Sequence, residues 1–357
     1  MKEKARTNLH DLSDAALASE LTPRVSPSFR IPQIETWLHD RGVDSFDAMT
    51  NVPKDLRERL AQTYRVRLPE LVQRTEPAAD GSRKYLFRVS DRTLVEAVYM
   101  PMGSRTTLCL SSQAGCAVGC TFCVTGFFGA GRNLPPSEIL GQLHRIRAEE
   151  EIPWEALNVV FMGMGEPLLN MDHLTTTLEV LYEHVSPRRI TVSTSGIIPG
   201  IRQLATLERR PNLAVSINAP DQKRRVEIMP ITAKYPLREL IGALRDFPLE
   251  KGRKLTAEYV LLEDWNDAPA DAERLARLLR DLHVKVNLIP FNPDPNLPAW
   301  MKRPSDPVID RFAAELAKQR VSVTVRRSRG DQIAAACGQL RGRSEPTRAA
   351  ARRTSVR

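Results

Sequence analysis

Cys116, Cys120 and Cys123 stand in a C-x-x-x-C-x-x-C loop. Three thiolates packed into eight residues can each ligate one iron of a 4Fe-4S cubane, which leaves the fourth iron without a protein ligand and open to chemistry. The competing reading is structural zinc, which asks for four ligands, usually as two well-separated C-x-x-C or C-x-x-H pairs. The chain has only five cysteines and no second pair of that kind. Four of the five (Cys109, Cys116, Cys120, Cys123) lie close together and the fifth is Cys337. An odd count argues against a disulfide framework and for metal or thiol chemistry.

A second feature is Gly163-Met164-Gly165-Glu166-Pro167, flexible backbone followed by a carboxylate. Such a carboxylate can accept hydrogen bonds from an amino group of a ligand on the open iron. A glycine-rich turn that prepares the next helix through Pro167 and Asn170 is the plainer alternative. Plain readings also stand for three isolated residues. Cys109 in an apolar strand reads as a small core residue, Cys337 in AAACG as a helix end capped by Gly338, and Glu96 as a strand glutamate facing solvent.

The elements that must position these residues follow from periodicity. Residues 1–76 read as a small helical domain; Asn51-Val52-Pro53, for example, opens a helix whose Leu56 and Leu60 share a face. Pro77 to Ser82 is a turn-rich break, and residues 77–105 form a bridge in which Tyr85–Val89 and Val95–Tyr99 alternate like hairpin strands. From Thr106 the pattern switches between strand and helix six times (TTLCLSS, LNVVFMG, RRITVSTS, NLAVSINA, KLTAEYVLL and VKVNLIPFN each lead into a helix) and ends on the strand VSVTVRR. Six βα units imply parallel strands with right-handed crossovers, either a doubly wound sheet or a curved, barrel-like one. The polar residues favour the barrel. The cysteine loop, the 163–167 turn, Ser193 and Ser195, Ser216 and Asn218, and Asn292 all fall at carboxyl ends of strands, where barrels place their sites. The expected fold is α/β, a partial (β/α)6 barrel over 106–340 with the helical domain and hairpin bridge ahead of it.

The net charge of +9 is uneven, because residues 341–357 hold six Arg against one Glu. This basic tail is expected to be solvated, and the overall balance suits a polyanionic partner. No run approaches the roughly 18 apolar residues of a membrane helix. The start MKEKARTNLHDLSD has no apolar stretch of a secretory signal, so a cytoplasmic protein without membrane association is expected.

The motifs together resemble the RlmN and Cfr family of radical S-adenosylmethionine RNA methyltransferases over nearly the whole chain. The resemblance is carried by LCLSSQAGCAVGCTFCVTG (108–126), RNL (132–134), FMGMGEPLLN (161–170), STSGIIP (193–199), EYVLL (258–262), VNLIPFNP (286–293) and RGDQIAAACGQLRG (329–342). The early IETWLHDRGVDSFDAMTNVPKDLRERL is similar to the family's RNA-contacting N-terminal domain.

The resemblance implies that Cys116, Cys120 and Cys123 hold one 4Fe-4S cluster. It also implies that Gly165, Glu166, Ser193, Ser216, Ile217, Asn218 and Asn292 contact S-adenosylmethionine. Cys337 then corresponds to the methyl-carrying thiol, Cys109 to the thiol that resolves it with a disulfide between the two, and Glu96 to the proton acceptor. Glu166-Pro167-Leu168-Leu169-Asn170, Ser195 and Arg329-Gly330 follow the RlmN pattern, so methylation at carbon 2 of adenosine is expected over the carbon 8 of Cfr. The implied partners are ribosomal RNA, transfer RNA as a further substrate, and an electron donor such as flavodoxin, with the protein acting as a monomer. Two departures from the family pattern stand out: Asn218, where a His is usual and which does not titrate near neutral pH, and FFGAG at 127–131.

Overall fold

The computed structural model describes residues 6–326 and 338–340. The chain opens with β1 (Thr7–Asn8), α1 (Asp14–Leu21), α2 (Arg30–Glu35), α3 (Lys54–Thr63) and β2 (Tyr64–Arg65), β1 and β2 pairing in parallel. Their apolar positions close a core of their own, from Leu9 through Leu17, Ile34 and Leu38 to Leu56, Leu60 and Val66. Leu56 and Leu60, one turn apart on α3, are both buried.

The rest of the chain is built on one sheet. β3 (Glu70–Arg74), β4 (Arg83–Arg88) and β5 (Leu94–Met102) are antiparallel to their neighbours. The βα series then runs β6 (Arg105–Cys109), α4 (Pro136–Glu149), β7 (Leu157–Phe161), α5 (Met171–Tyr182), β8 (Ile190–Thr194), α6 (Ile198–Ala205), β9 (Asn212–Ser216), α7 (Gln222–Ile228), α8 (Leu237–Arg245), β10 (Leu255–Leu261), α9 (Pro269–Leu279), β11 (Val284–Pro290), α10 (Asp306–Lys318) and β12 (Ser322–Val325). The strand order is β12-β11-β10-β9-β8-β7-β6-β5-β4-β3. A doubly wound sheet reverses its order at a switch point; this one never does, so each crossover advances the same way, and the strand order matches a barrel left open. The expected hairpin also joins that sheet, β5 pairing directly with β6. β3, upstream of the Pro77–Ser82 turn, joins it as well.

Burial along the strands shows which side is covered. β7 and β8 alternate strictly between buried and half-exposed residues. Leu157, Val159, Ile190 and Val192 belong to the apolar core shared with the buried faces of the helices, among them Leu174 and Leu178 of α5 and Ile201 and Leu204 of α6. Following the pairing register, the opposite face carries Asn158, Val160, Thr191, Ser193, Asn212, Ser216, Thr256, Asn287 and Thr324. Parallel sheets are ordinarily covered on both faces and read as unbroken hydrophobic runs. The polar, half-exposed inner face found here is that of a trough.

The N-terminal unit is seated on α4. Asp11 accepts from the Ser137 backbone N–H (2.9 Å), Asp44 pairs with Arg145 (2.7 Å), and Asp40 accepts from the Trp154 indole (2.7 Å). Gly42, at φ +63°, lies so close to His144 that an added Cβ would stand 2.3 Å from its ring. The seam gathers four of the chain's six histidines. His10 lies 6.5 Å from His39 and 6.2 Å from His144, between ring centroids, and His184 stacks on Trp154 at 4.2 Å. His10 Nε2 bonds the Val43 carbonyl at 2.7 Å, and His39 pairs with Asp14.

Burial holds His10 and His144 neutral: His10 is pushed down to about 4 from the usual 6.5, and His144 falls well below 6.5. Both take up a proton only on unfolding. Stability is therefore full above 6.5 and is lost as pH falls from 6.5 towards 4, by up to about 1.4 kcal/mol per pH unit for each histidine. Urea unfolding between pH 7 and pH 4.5 should show this slope, and His10→Gln should make it shallower. Parallel slopes for variant and parent would refute the assignment.

Candidate active site

The cysteine loop leaves β6 through a polar knot. Ser111 and Gln142 of α4 bond reciprocally, Ser111 N donating to Gln142 Oε1 (2.9 Å) and Gln142 Nε2 to Ser111 O (3.0 Å). Ser111 Oγ donates to the Glu96 carbonyl (2.5 Å) and accepts from Met164 N (2.8 Å). Ser112 N and Gln113 N both donate to Met164 O, at 2.9 and 3.1 Å, and Gln113 Oε1 accepts from Glu166 N at 2.8 Å. Buried polar groups without partners are costly. Here each is satisfied only when β5, α4 and the 163–167 turn arrive together. The glycines of that turn are required by contact: a Cβ on Gly163 would stand 2.6 Å from Leu110 O, and one on Gly165, at φ +100°, 2.5 Å from Gln113 Cβ.

Beyond the knot the loop is pinned from two sides. Cys116 N donates to Gly129 O (2.9 Å) and Ala114 N to Arg132 O (2.9 Å), which fixes the 127–131 segment against the loop. From the other side Val124 N donates to Gly338 O (2.7 Å), Thr125 Oγ1 to Leu340 O (2.6 Å), and Gln339 Nε2 to Pro293 O (3.0 Å). The residues directly after Cys337 are thus held against the cysteine loop, while Cys337 itself lies outside the described residues.

Cys116, Cys120 and Cys123 open onto one cavity of about 150 Å³. Gly165, Glu166, Ser193, Ser216 and Asn292, from four further strand ends, also line it, as does Gly338. Burial and the neighbouring thiolate of Cys123 push the Cys116 thiol up to about 12, and Cys120 is raised by the same causes. Three thiolates side by side are therefore unfavourable unless a cation compensates them, and metal ions reverse this penalty. Among the described residues no three His, Cys, Asp or Glu are gathered for a single metal ion. A cubane takes one thiolate per iron and needs no fourth protein ligand, so a set of three cysteines fits a cluster better than structural zinc.

Glu166 is buried, and burial raises its carboxyl above the usual range while hydrogen bonds from Ser195 oppose that. Its Oε2 accepts from Ser195 N and Ser195 Oγ (2.7 Å each) and its Oε1 from Leu168 N (3.1 Å). The carboxylate expected to await a ligand is thus already held by three protein donors, with lone pairs left on the cavity side.

The remaining predicted residues lie around this cavity rather than in its lining. Ile217 is buried, its carbonyl accepting from Arg225 Nε (3.1 Å). Asn218 sits at φ +58°, a left-handed conformation that Asn tolerates well. Its Oδ1 accepts from Val260 N (2.9 Å) and its Nδ2 approaches Met229 Sδ (3.2 Å), which ties the end of β9 to β10. Cys109 ends β6, buried, opposite Val98 of β5. Glu96, two residues from Val98, shares its face of the sheet. It does not face solvent: it is buried and pairs with Lys84 at 3.2 Å, because β4 covers β5 and carries Lys84 on the same face. No disulfide joins two described residues.

Several site residues escaped the sequence reading. Glu258 lines the cavity, is buried, and accepts from Ser193 Oγ (2.8 Å). Gln113, Gln142 and Arg225 carry the hydrogen bonds that orient the lining. Glu258 and Gln113 lie inside the stretches EYVLL and LSSQAG, which was the available signal; Gln142 and Arg225 offered none.

An open (β/α)6 sheet with a three-cysteine loop after its first parallel strand defines a radical S-adenosylmethionine enzyme, and the profile of the Radical SAM superfamily matches residues 110–279. The profile of the ribosomal RNA large subunit methyltransferase N-terminal domain matches residues 7–66. The dual-specificity RNA methyltransferase RlmN of Anaeromyxobacter dehalogenans is 47% identical, across 96% of this chain and 95% of its own. That of Pelobacter propionicus is 44% identical, across 96% and 98%. A radical SAM methyltransferase structure from Sphaerobacter thermophilus superposes with a TM-score of 0.87 at 42% identity, covering 94% of this chain and all of that one. The chain belongs to the RlmN family of RNA methyltransferases.

Gly165→Ala should be destabilising by about 1–3 kcal/mol, from the positive φ and the overlap with Gln113. Chemical denaturation measures it, and a variant as stable as the parent would show that the turn can relax.

Proposed function

We propose that the enzyme methylates carbon 2 of an adenosine in ribosomal RNA, and in transfer RNA, through a methyl group carried on Cys337. The observation carrying this reading is the convergence on one mouth of the cysteine loop, the polar strand ends and the segment that follows Cys337. In it Cys116, Cys120 and Cys123 each bind one iron of a 4Fe-4S cluster. Gly165, Glu166, Ser193, Ser216, Ile217, Asn218 and Asn292 form the S-adenosylmethionine site, the first two through the 163–167 turn and the others through the ends of their strands. The dual specificity for RNA named for the relatives supports two RNA substrates.

When bound to Cys116, Cys120 and Cys123, the cluster would supply the electron that cleaves S-adenosylmethionine to a 5'-deoxyadenosyl radical and would take one back after the base is joined. A ring carbon of adenine is a poor nucleophile, so Cys337 first takes the methyl group of one S-adenosylmethionine, with S-adenosylhomocysteine leaving, and the 5'-deoxyadenosyl radical from a second takes a hydrogen atom from that S-methyl, whose carbon then bonds the base. Glu96 accepts the proton released from the ring carbon. Cys109 then attacks the Cys337 sulfur, which frees methylated RNA and leaves a Cys109–Cys337 disulfide. Cys109 and Glu96 lie on one face of neighbouring strands, next to the knot that holds the 163–167 turn, and this placement supports a shared task. We assign residues 1–76 to RNA contact, 77–105 and 106–340 to the sheet and catalysis, and 341–357 to a basic tail that adds charge for RNA. The open polar trough suits a substrate too large for a closed barrel. In this reading a flavodoxin-like donor reduces the monomeric enzyme in the cytoplasm; among the described residues no helix is long and apolar enough to cross a membrane.

Anaerobic turnover with reductant and RNA should yield 5'-deoxyadenosine and 2-methyladenosine, read by mass spectrometry of digested RNA. An 8-methyladenosine product would reassign the ring carbon, and no 5'-deoxyadenosine would overturn the radical reading. Cys109→Ala should accumulate a covalent RNA–protein adduct. Unimpaired turnover by that variant would remove Cys109 from the mechanism.

A further inference from the structure

Arg225, on α7, is fully buried. Every nitrogen of its guanidinium is engaged: Nε donates to Ile217 O (3.1 Å), Nη2 to Ser195 O (2.6 Å) and Ser216 O (2.8 Å), and Nη1 to Thr232 Oγ1 (2.6 Å). Three of the four acceptors are main-chain carbonyls just past the ends of β8 and β9, where Ser193, Ser195 and Ser216 meet the cavity. Parallel strands end in unpaired carbonyls, and one planar fork that satisfies three of them fixes the spacing of two strands. Gly196 makes room for this, since a Cβ there would stand 3.3 Å from Nη2.

The charge is as unusual as the fork. The neighbouring Arg224 is matched by Asp221 (2.7 Å) and by Asp271. Arg225 forms no ion pair among the described residues, and a buried cation left unpaired is ordinarily expensive. The helix that carries Arg225 abuts the cysteine loop: the carbonyl of Ile228, three residues past Arg225, accepts from the backbone N–H of Thr121, the residue after Cys120 (3.0 Å). The guanidinium thus holds Ser195 and Ser216, which line the same cavity as Cys116, Cys120 and Cys123, and brings an unpaired cation to the side of the three thiols.

We propose that Arg225 is a positioning residue with two separable effects: its fork sets the S-adenosylmethionine-binding strand ends, and its charge, held beside the cavity that the three cysteines line, makes the cluster easier to reduce. The proposal rests on the radical enzyme reading above. Reduction adds negative charge beside the guanidinium, so removing the cation must make the potential more negative.

Two substitutions separate the effects. Arg225→Lys keeps the charge but cannot span three carbonyls, whereas Arg225→Gln loses both. Potentials come from redox titration of the reconstituted cluster followed by electron paramagnetic resonance, and S-adenosylmethionine affinity from calorimetry on the oxidised, non-reacting protein. Both variants should bind S-adenosylmethionine about tenfold more weakly. Only Arg225→Gln should shift the midpoint negatively, by about one tenfold step in the reduction equilibrium, roughly 59 mV for one electron. Equal potentials in parent, Lys and Gln proteins would overturn the electrostatic role, since a purely structural arginine would weaken binding in both variants and shift neither potential. Unchanged affinity in both variants would overturn the positioning role. A parent protein that takes up no cluster would overturn the enzyme reading and this proposal together, whereas a loaded parent with indistinguishable variants overturns this proposal alone.

Discussion

The hydrogen bonds around Ser111 are the constraint on which the rest of the site depends. One serine takes its place at the exit of β6 only if Gln142 of α4, the Glu96 carbonyl of β5 and Met164 of the 163–167 turn are all present. Each partner belongs to a different segment, and each holds something the site uses: Glu96 on its strand, Glu166 two residues past Met164, and the cysteine loop leaving from Ser112 and Gln113. Because these groups are buried, a partly formed knot would leave donors and acceptors unpaired at a cost of about 1–3 kcal/mol apiece. The network thus favours forming all at once, and it couples the strand bearing Cys109 to the turn that lines the cavity.

The open sheet places this knot beside a surface few parallel sheets possess. Helices cover the outer face and the apolar core lies there, so stability does not depend on filling the inside. The inner face is then free to carry Asn158, Thr191, Asn212, Thr256 and Asn287 at half exposure. The relatives' activity on RNA accords with such a trough, whose inner face carries hydrogen-bonding side chains rather than an enclosed apolar pocket.

Much of this architecture is legible in the residues, because its signals are local. The six βα switches and the cysteine spacing are read within windows of a dozen residues, and the strand-end positions of Ser193, Ser216 and Asn292 follow from them. The orienting residues were hidden for the opposite reason. Gln142 acts on Ser111 from 31 positions away, Glu258 on Ser193 from 65, and Arg225 on Ser195 from 30, and each is an ordinary residue type in an ordinary helix or strand. Glu96 misleads by its pattern: a glutamate in an alternating strand suggests solvent, and only the pairing of β4 with β5 brings Lys84 to cover it. Asn218 looks like a lost histidine, yet in the fold its amide bridges two strands at a backbone angle that suits asparagine.

The contact between Gly42 and His144 has a mechanical consequence. A ring packed where a single methyl group would collide leaves no slack, and the Asp11, Asp40 and Asp44 bonds around it resist rotation about that point. The N-terminal unit and the barrel then behave as the fixed jaws of a caliper. A macromolecule that touched both would meet two surfaces held at one fixed spacing.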